Sequence, residues 1–166
     1  LTLNKCFVGQ NAYFKGYSAG TLFGMAPGGV YNITNCYSLG TSERGADKAD
    51  SMYGLHGQVY GGNAASTLSN CYNANGPVTT GVEAGTFKNN YATEGTKGTI
   101  LTKDNMQGAD ALTNPDKMPK LGRFFKATAT YPVIDFDAVE DTTPDYVWDG
   151  STVAPTKGSG TLDDPY

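Results

Sequence analysis

Three cysteines, one histidine and a few clustered carboxylates are the side chains in this sequence with obvious reactivity. Cys6, Cys36 and Cys71 lie far apart, with no Cys-x-x-Cys pair and no partnering histidine, so their spacing is not that of a zinc site. An odd number of cysteines, each in the same local phrase, is not a disulfide framework either. His56 is the single histidine, and no Gly-x-Ser-x-Gly elbow accompanies it, so a Ser-His-Asp nucleophile has no footing. A glycosidase or lyase needs two acids that converge at a set separation. Glu43, Asp47 and Asp50 share one polar loop with Arg44 and Lys48, the mixture of a solvated loop. Asp135 and Asp137 flank Phe136 and project from the outer face of a strand. Asp163-Asp164 lacks the spacing of a calcium loop, so a structural calcium is unsupported and no metal or cofactor is expected. What remains is a set of aromatic side chains, Phe7, Tyr37, Tyr72 and Tyr91, each placed by the same phrase.

The phrase occurs four times: Leu3-Asn4-Lys5-Cys6-Phe7, Ile33-Thr34-Asn35-Cys36-Tyr37, Leu68-Ser69-Asn70-Cys71-Tyr72 and Phe87-Lys88-Asn89-Asn90-Tyr91. A weaker repeat lies between the copies. Gly20-Thr21-Leu22-Phe23-Gly24 aligns with Met52-Tyr53-Gly54-Leu55-His56-Gly57, so that Phe23 matches His56, and Thr80-Gly81-Val82-Glu83-Ala84 is a degraded third copy. Self-similarity of this period is the signature of a stack of similar coils. The expected fold is all-β, a parallel β-helix (solenoid) whose variable loops, such as 41–50, lie outside.

The phrase poses a parity problem. Leu68 and Cys71 both favour burial, yet they are three residues apart, and a flat strand would send them to opposite faces. A bend at Asn70 resolves it, because Asn tolerates left-handed backbone angles better than any residue but Gly. Asn35, Asn70 and Asn89 are therefore placed at a corner, where stacked side-chain amides bond from coil to coil. The cysteines then stack inside as free thiols acting as small hydrophobes. Coil spacing of roughly 4.8 Å leaves their Cβ atoms wider apart than the ~3.8 Å of a disulfide. Each following aromatic faces outward, and Phe7, Tyr37, Tyr72 and Tyr91 form an external stripe at coil spacing. Sugar rings stack on such faces. The competing use is packing of the rings on one another or under the 41–50 loop.

Composition bounds the rest. With 166 residues there is room for one domain, and 22 glycines with only 17% charged residues favour turns and short strands. A net charge of −4 with no basic cluster argues against nucleic acid as a partner. The apolar runs are too short to span a membrane. Leu1 opens directly in a repeat, which reads as a piece of a longer protein. Residues 1–100 are assigned to the coils. Thr102 is the expected N-cap of a short helix over 103–112. With Arg123-Phe124-Phe125-Lys126 as an apolar turn and a strand at Tyr131-Pro132-Val133-Ile134-Asp135-Phe136, it forms a C-terminal cap, 101–136, over the last coil. Residues 137–166 read as a linker and the start of a following unit.

These phrases resemble the GLUG-repeat family of large bacterial cell-surface proteins, in which a Gly-Leu-x-Gly strand precedes a hydrophobic-x-Asn-Cys-Tyr strand. Gly54-Leu55-His56-Gly57 with Leu68-Ser69-Asn70-Cys71-Tyr72 carries the likeness, and Thr21-Leu22-Phe23-Gly24 with Ile33-Thr34-Asn35-Cys36-Tyr37 follows it more loosely. The resemblance implies a right-handed β-helix, extracellular display on the bacterial surface and an adhesive or scaffold role, with no catalytic set to transfer. The expected function is a non-enzymatic structural or adhesive module. The alternatives are a carbohydrate-binding module using the Tyr37, Tyr72, Tyr91 and Phe7 stripe, and a fragment of a polysaccharide-active enzyme. Expected partners are glycans or other surface proteins.

Overall fold

The computed structural model describes residues 1–16, 18–27, 30–44, 52–60, 65–81 and 85–139. Of the expected linker and following unit, 137–166, residues 140 onward, with Asp163-Asp164, lie outside these residues, as do Asp47, Lys48 and Asp50 of the polar loop. The chain is all-β among the described residues, apart from one 3-10 turn.

The phrase is the building unit. Its first strand recurs as Thr2–Asn4 (β1), Asn32–Thr34 (β5), Thr67–Ser69 (β9) and Thr86–Lys88 (β12). These form one parallel sheet in the order β1-β5-β9-β12. Its second strand recurs as Phe7–Val8 (β2), Tyr37–Ser38 (β6), Tyr72–Asn73 (β10) and Tyr91–Ala92 (β13), and Thr99–Ile100 (β14) adds a fifth member to that parallel sheet. Register holds throughout: Leu3, Ile33, Leu68 and Phe87 pair in one row, and Phe7, Tyr37, Tyr72 and Tyr91 in another. The weaker repeat builds its own parallel sheet from Ser18–Pro27 (β4), Met52–Tyr60 (β8) and Thr79–Gly81 (β11). In it Phe23 lies opposite His56, as the sequence alignment requires, and a register shift between Gly20 and Phe23 absorbs one extra residue. Tyr13–Gly16 (β3) pairs in parallel with Thr41–Arg44 (β7).

Between the two strands of each phrase the backbone turns through the left-handed region. Lys5, Asn35, Asn70 and Asn89 all have φ between 53° and 56°. This turn resolves the parity problem: Ile33 and Cys36, like Leu68 and Cys71, enter the same core, together with Tyr31, Val78 and Ala92. The amides form the expected ladder. Asn89 Nδ2 donates to Asn70 Oδ1 at 3.0 Å, Asn70 to Asn35 at 3.3 Å, and Asn35 to Asn4 at 2.8 Å. Lys5 takes the corner in the first repeat, so Asn4 beside it supplies the last acceptor. The Lys5 ammonium instead donates to Ala138 O at 2.9 Å and lies 4.5 Å from the Phe124 ring centroid.

The C-terminal segment departs from expectation in two ways. The helix expected over 103–112 is a single 3-10 turn, Asp104–Met106. The N-cap is Lys103 rather than Thr102, although the Thr102 hydroxyl accepts from Asn105 N–H at 3.3 Å. Gln107 then turns extended and Gly108 takes φ 102°, donating its N–H to Thr130 O rather than continuing a helix. A glycine interior to a helix costs about 1 kcal/mol, and here tertiary bonding takes the freed amide. Successive turns lead to an antiparallel hairpin of Phe125–Lys126 (β15) and Val133–Ile134 (β16). The second departure is one of place. Rather than sitting over the last coil, the segment reaches from Lys5 in the first repeat to Tyr91 in the fourth, along the side of the stack.

Candidate functional site

The aromatic that follows each thiol position points away from the thiol core, and in the second, third and fourth repeats it enters a second core. There Tyr37, Tyr72 and Tyr91 pack with Met106, Ala111, Met118, Leu121, Phe125 and Ile134 of the C-terminal segment. The rings stack along the column: Phe7 to Tyr37 at 5.3 Å and Tyr37 to Tyr72 at 5.0 Å, nearly parallel in both cases. Phe125 tilts against both Tyr37 and Tyr72, and Tyr131 stacks beside Tyr72. The Tyr72 hydroxyl donates to Pro132 O at 2.5 Å, and the Tyr91 hydroxyl accepts from Lys120 N–H at 3.1 Å.

The aromatic stripe was expected on the outside, free to meet a glycan. Instead Tyr37 is 5% exposed, Tyr72 0% and Tyr91 4%, and Phe7 alone stays open at 53%. The rings do point away from the cysteines, as the phrase requires. A covering segment then removes them from water, because a continuous apolar column is the natural partner for its own apolar side chains. The signal was present in the sequence: Met106, Met118, Leu121 and Phe125 need an apolar surface of comparable length.

Burial raises the titration of these phenols. It is the first cause for Tyr72, with Tyr37 and Tyr131 adding to it, and it raises Tyr37, Tyr91 and Tyr131 as well. A raised folded-state value means that the neutral phenol stabilises the fold fully below the unfolded value, about pH 10. That stability is lost as the pH rises above it toward the folded values. The urea midpoint is therefore expected to begin to decline above about pH 8.5, the unfolded value of the buried thiols whose titration is also raised, and to fall steeply above about pH 10. Tyr72→Phe should make the fall shallower, and an unchanged slope would count against burial of this phenol.

The thiols form the inner column. Each donates to the carbonyl two residues back: Cys6 to Asn4 O at 3.5 Å, Cys36 to Thr34 O at 3.0 Å and Cys71 to Ser69 O at 3.2 Å. In the fourth repeat Asn90 takes this place, accepting from Cys71 N–H at 3.1 Å and donating to Leu68 O at 2.7 Å. All three cysteines are free, Cys36 and Cys71 fully buried and Cys6 half-buried at the end of the column. The neighbouring Cys71 thiol draws Cys36 down, while burial pushes Cys71 and Cys6 up. In a disulfide-exchange titration of the native protein, Cys6 should react first and Cys36 and Cys71 only on unfolding. Rapid reaction of all three would contradict the inward column.

The other candidates are engaged elsewhere. Glu43 accepts from the Tyr13 hydroxyl at 2.9 Å and pairs with Lys15 at 3.8 Å across β3 and β7. Asp135 pairs with Lys126 at 3.6 Å and accepts from Asp137 N–H. The His56 side chain lies outside the described residues. Among those residues no group of three His, Cys, Asp or Glu side chains is placed to hold a metal, and no helix is long and apolar enough to cross a membrane.

One concave feature was not foreseen. A groove of about 350 Å³ opens at the end of the stack, lined by Phe87, Asn89, Asn90, Lys97, Gly98 and Thr99. The Lys97 ammonium lies 5.2 Å from the Phe87 ring centroid. The signal for it was the fifth second-type strand, Thr99–Ile100, for which no fifth phrase exists in the sequence. The chain matches no protein-family model, no curated protein and no solved structure.

Proposed function

We propose that this chain is a non-enzymatic β-solenoid module, a stiff structural or adhesive element displayed outside a bacterial cell. The finer reading is a right-handed parallel β-helix of GLUG-like coils. The observation that carries it is the in-register stacking of whole phrases: one amide ladder and one apolar row run through all four repeats. Side chains spent on coil-to-coil bonding give an extended body its resistance to bending and shear. Glycan binding by the aromatic row has less support, since three of its four rings pack beneath the C-terminal segment.

Pulling the chain between its ends in a force spectrometer tests the mechanical role. A single cooperative rupture is expected, because the C-terminal segment bonds to both the first and the fourth repeats. Extension at negligible force, one repeat after another, would remove the stalk reading. Antibody labelling of intact and lysed source cells tests display, and signal confined to lysed cells would refute it.

A further inference from the structure

The two phrase sheets do not end together. The second contains five strands, finishing at β14, whereas the first contains four, finishing at β12. The groove lined by Phe87, Asn89, Lys97 and Gly98 lies where the first sheet's fifth strand would run. We propose that this vacant place is a binding site for an extended peptide segment, which pairs with β12 as a parallel fifth strand.

The bonding pattern of the lower repeats specifies what fits. In each, the corner N–H donates to the next repeat's carbonyl: Lys5 to Thr34 O, Asn35 to Ser69 O and Asn70 to Lys88 O. Asn89 N–H finds no such partner among the described residues, and Asn89 Oδ1, the last acceptor of the amide ladder, is likewise unmatched. Gly98 stacks on Asn90, where a Cβ would come within 2.9 Å of Asn90 O, and the Lys97 side chain lies over Phe87 with its ammonium 5.2 Å from the ring centroid, so an entering segment displaces that side chain and no other. A segment entering here puts an aliphatic side chain on Phe87, continuing the row Leu3, Ile33, Leu68, Phe87. Two residues later it offers an amide to Asn89 Oδ1. Its intervening residue stands beside exposed Lys88, so an acidic side chain is favoured, as opposite charges are between paired strands. Main-chain bonds supply affinity and alternate side chains supply selection, the usual logic of strand addition.

A second copy of the chain does not fit. Its β1 would have to bring β2 along in the same repeat, and β14 already occupies that position, pairing Thr99 with Tyr91. The exposed and half-buried lysines at this edge discourage indiscriminate pairing, as charged residues do on edge strands generally.

The test is titration of the full chain, labelled with nitrogen-15, with the peptide acetyl-Thr-Ile-Glu-Asn-amide, which ends before the place that Gly98 holds opposite Asn90. Expected are saturable amide shifts confined to 85–90 and 96–99. Replacing the peptide's Asn by Ala should weaken binding about fivefold, the loss of one hydrogen bond. Replacing its Glu by Lys should weaken it about threefold, and Lys88→Glu should reverse that preference. No shift at millimolar peptide would overturn the proposal. So would shifts at β1 equal to those at β12, or concentration-dependent self-association at both ends without peptide.

Discussion

Tyr72→Ala is expected to lower the unfolding free energy by about 3–5 kcal/mol, read from the urea midpoint, the usual range for deleting a buried aromatic side chain. Tyr72 is fully buried, with Tyr37 at 5.0 Å on one side and Tyr131 at 6.5 Å on the other. Its removal opens a cavity between the repeats and the segment that covers them, and it strands the Pro132 carbonyl that the phenol now satisfies. The components separate experimentally. Tyr72→Phe keeps the ring and loses only the bond to Pro132 O, which should cost about 1–3 kcal/mol because the acceptor stays buried. Phe7→Ala, at the open end of the same column, should cost well under half of the Tyr72→Ala effect, since Phe7 is 53% exposed and stacks on one side only. Equal losses at Phe7 and Tyr72 would show that the C-terminal segment does not cover the column in solution. Small domains are stable by about 5–15 kcal/mol in total, so Tyr72→Ala places the fold near its limit.

The second large effect falls on the corner. Asn70→Ala should destabilise by about 2–4 kcal/mol, combining strain with lost bonding. Alanine at φ 53° meets the left-handed penalty that Asn largely escapes. The side chain also serves two neighbours, donating to Asn35 Oδ1 at 3.3 Å and accepting from Asn89 Nδ2 at 3.0 Å. Asn70→Gly divides the two causes: glycine accepts the backbone angle freely but leaves the ladder broken, so it should recover about 1 kcal/mol of the alanine loss. Asn89→Ala, at the ladder's end, breaks one rung rather than two and should cost less than Asn70→Ala. If Asn70→Gly were as stable as the native chain, the amide ladder would contribute nothing.

The corner and the inner column were legible in the sequence because they follow from local geometry repeated at a fixed phrase. Two buried residue types three apart require a bend, and Asn at the intervening position supplies it. The register of His56 opposite Phe23 was legible for the same reason, since similar strands in successive repeats align. The helix over 103–112 was not legible correctly. Thr102 does bond to Asn105 N–H, but the N-cap falls on Lys103, and Gly108 with its bond to Thr130 O diverts the chain, a bond that joins residues from separate turns.

What the sequence alone determined is the phrase and its handling of sides: apolar residue and thiol inward, Asn at the left-handed corner, aromatic away from the thiols. Parity is a local property, because alternate side chains on a strand point to opposite faces whatever lies beyond them. What only the tertiary structure decided is what meets the second face. The rings of Tyr37, Tyr72 and Tyr91 are buried because 101–139 returns along the stack, and the end groove exists because Thr99–Ile100 extends one sheet and not the other. Both depend on contacts between segments far apart in the chain, and no periodicity within either segment encodes where the other will lie.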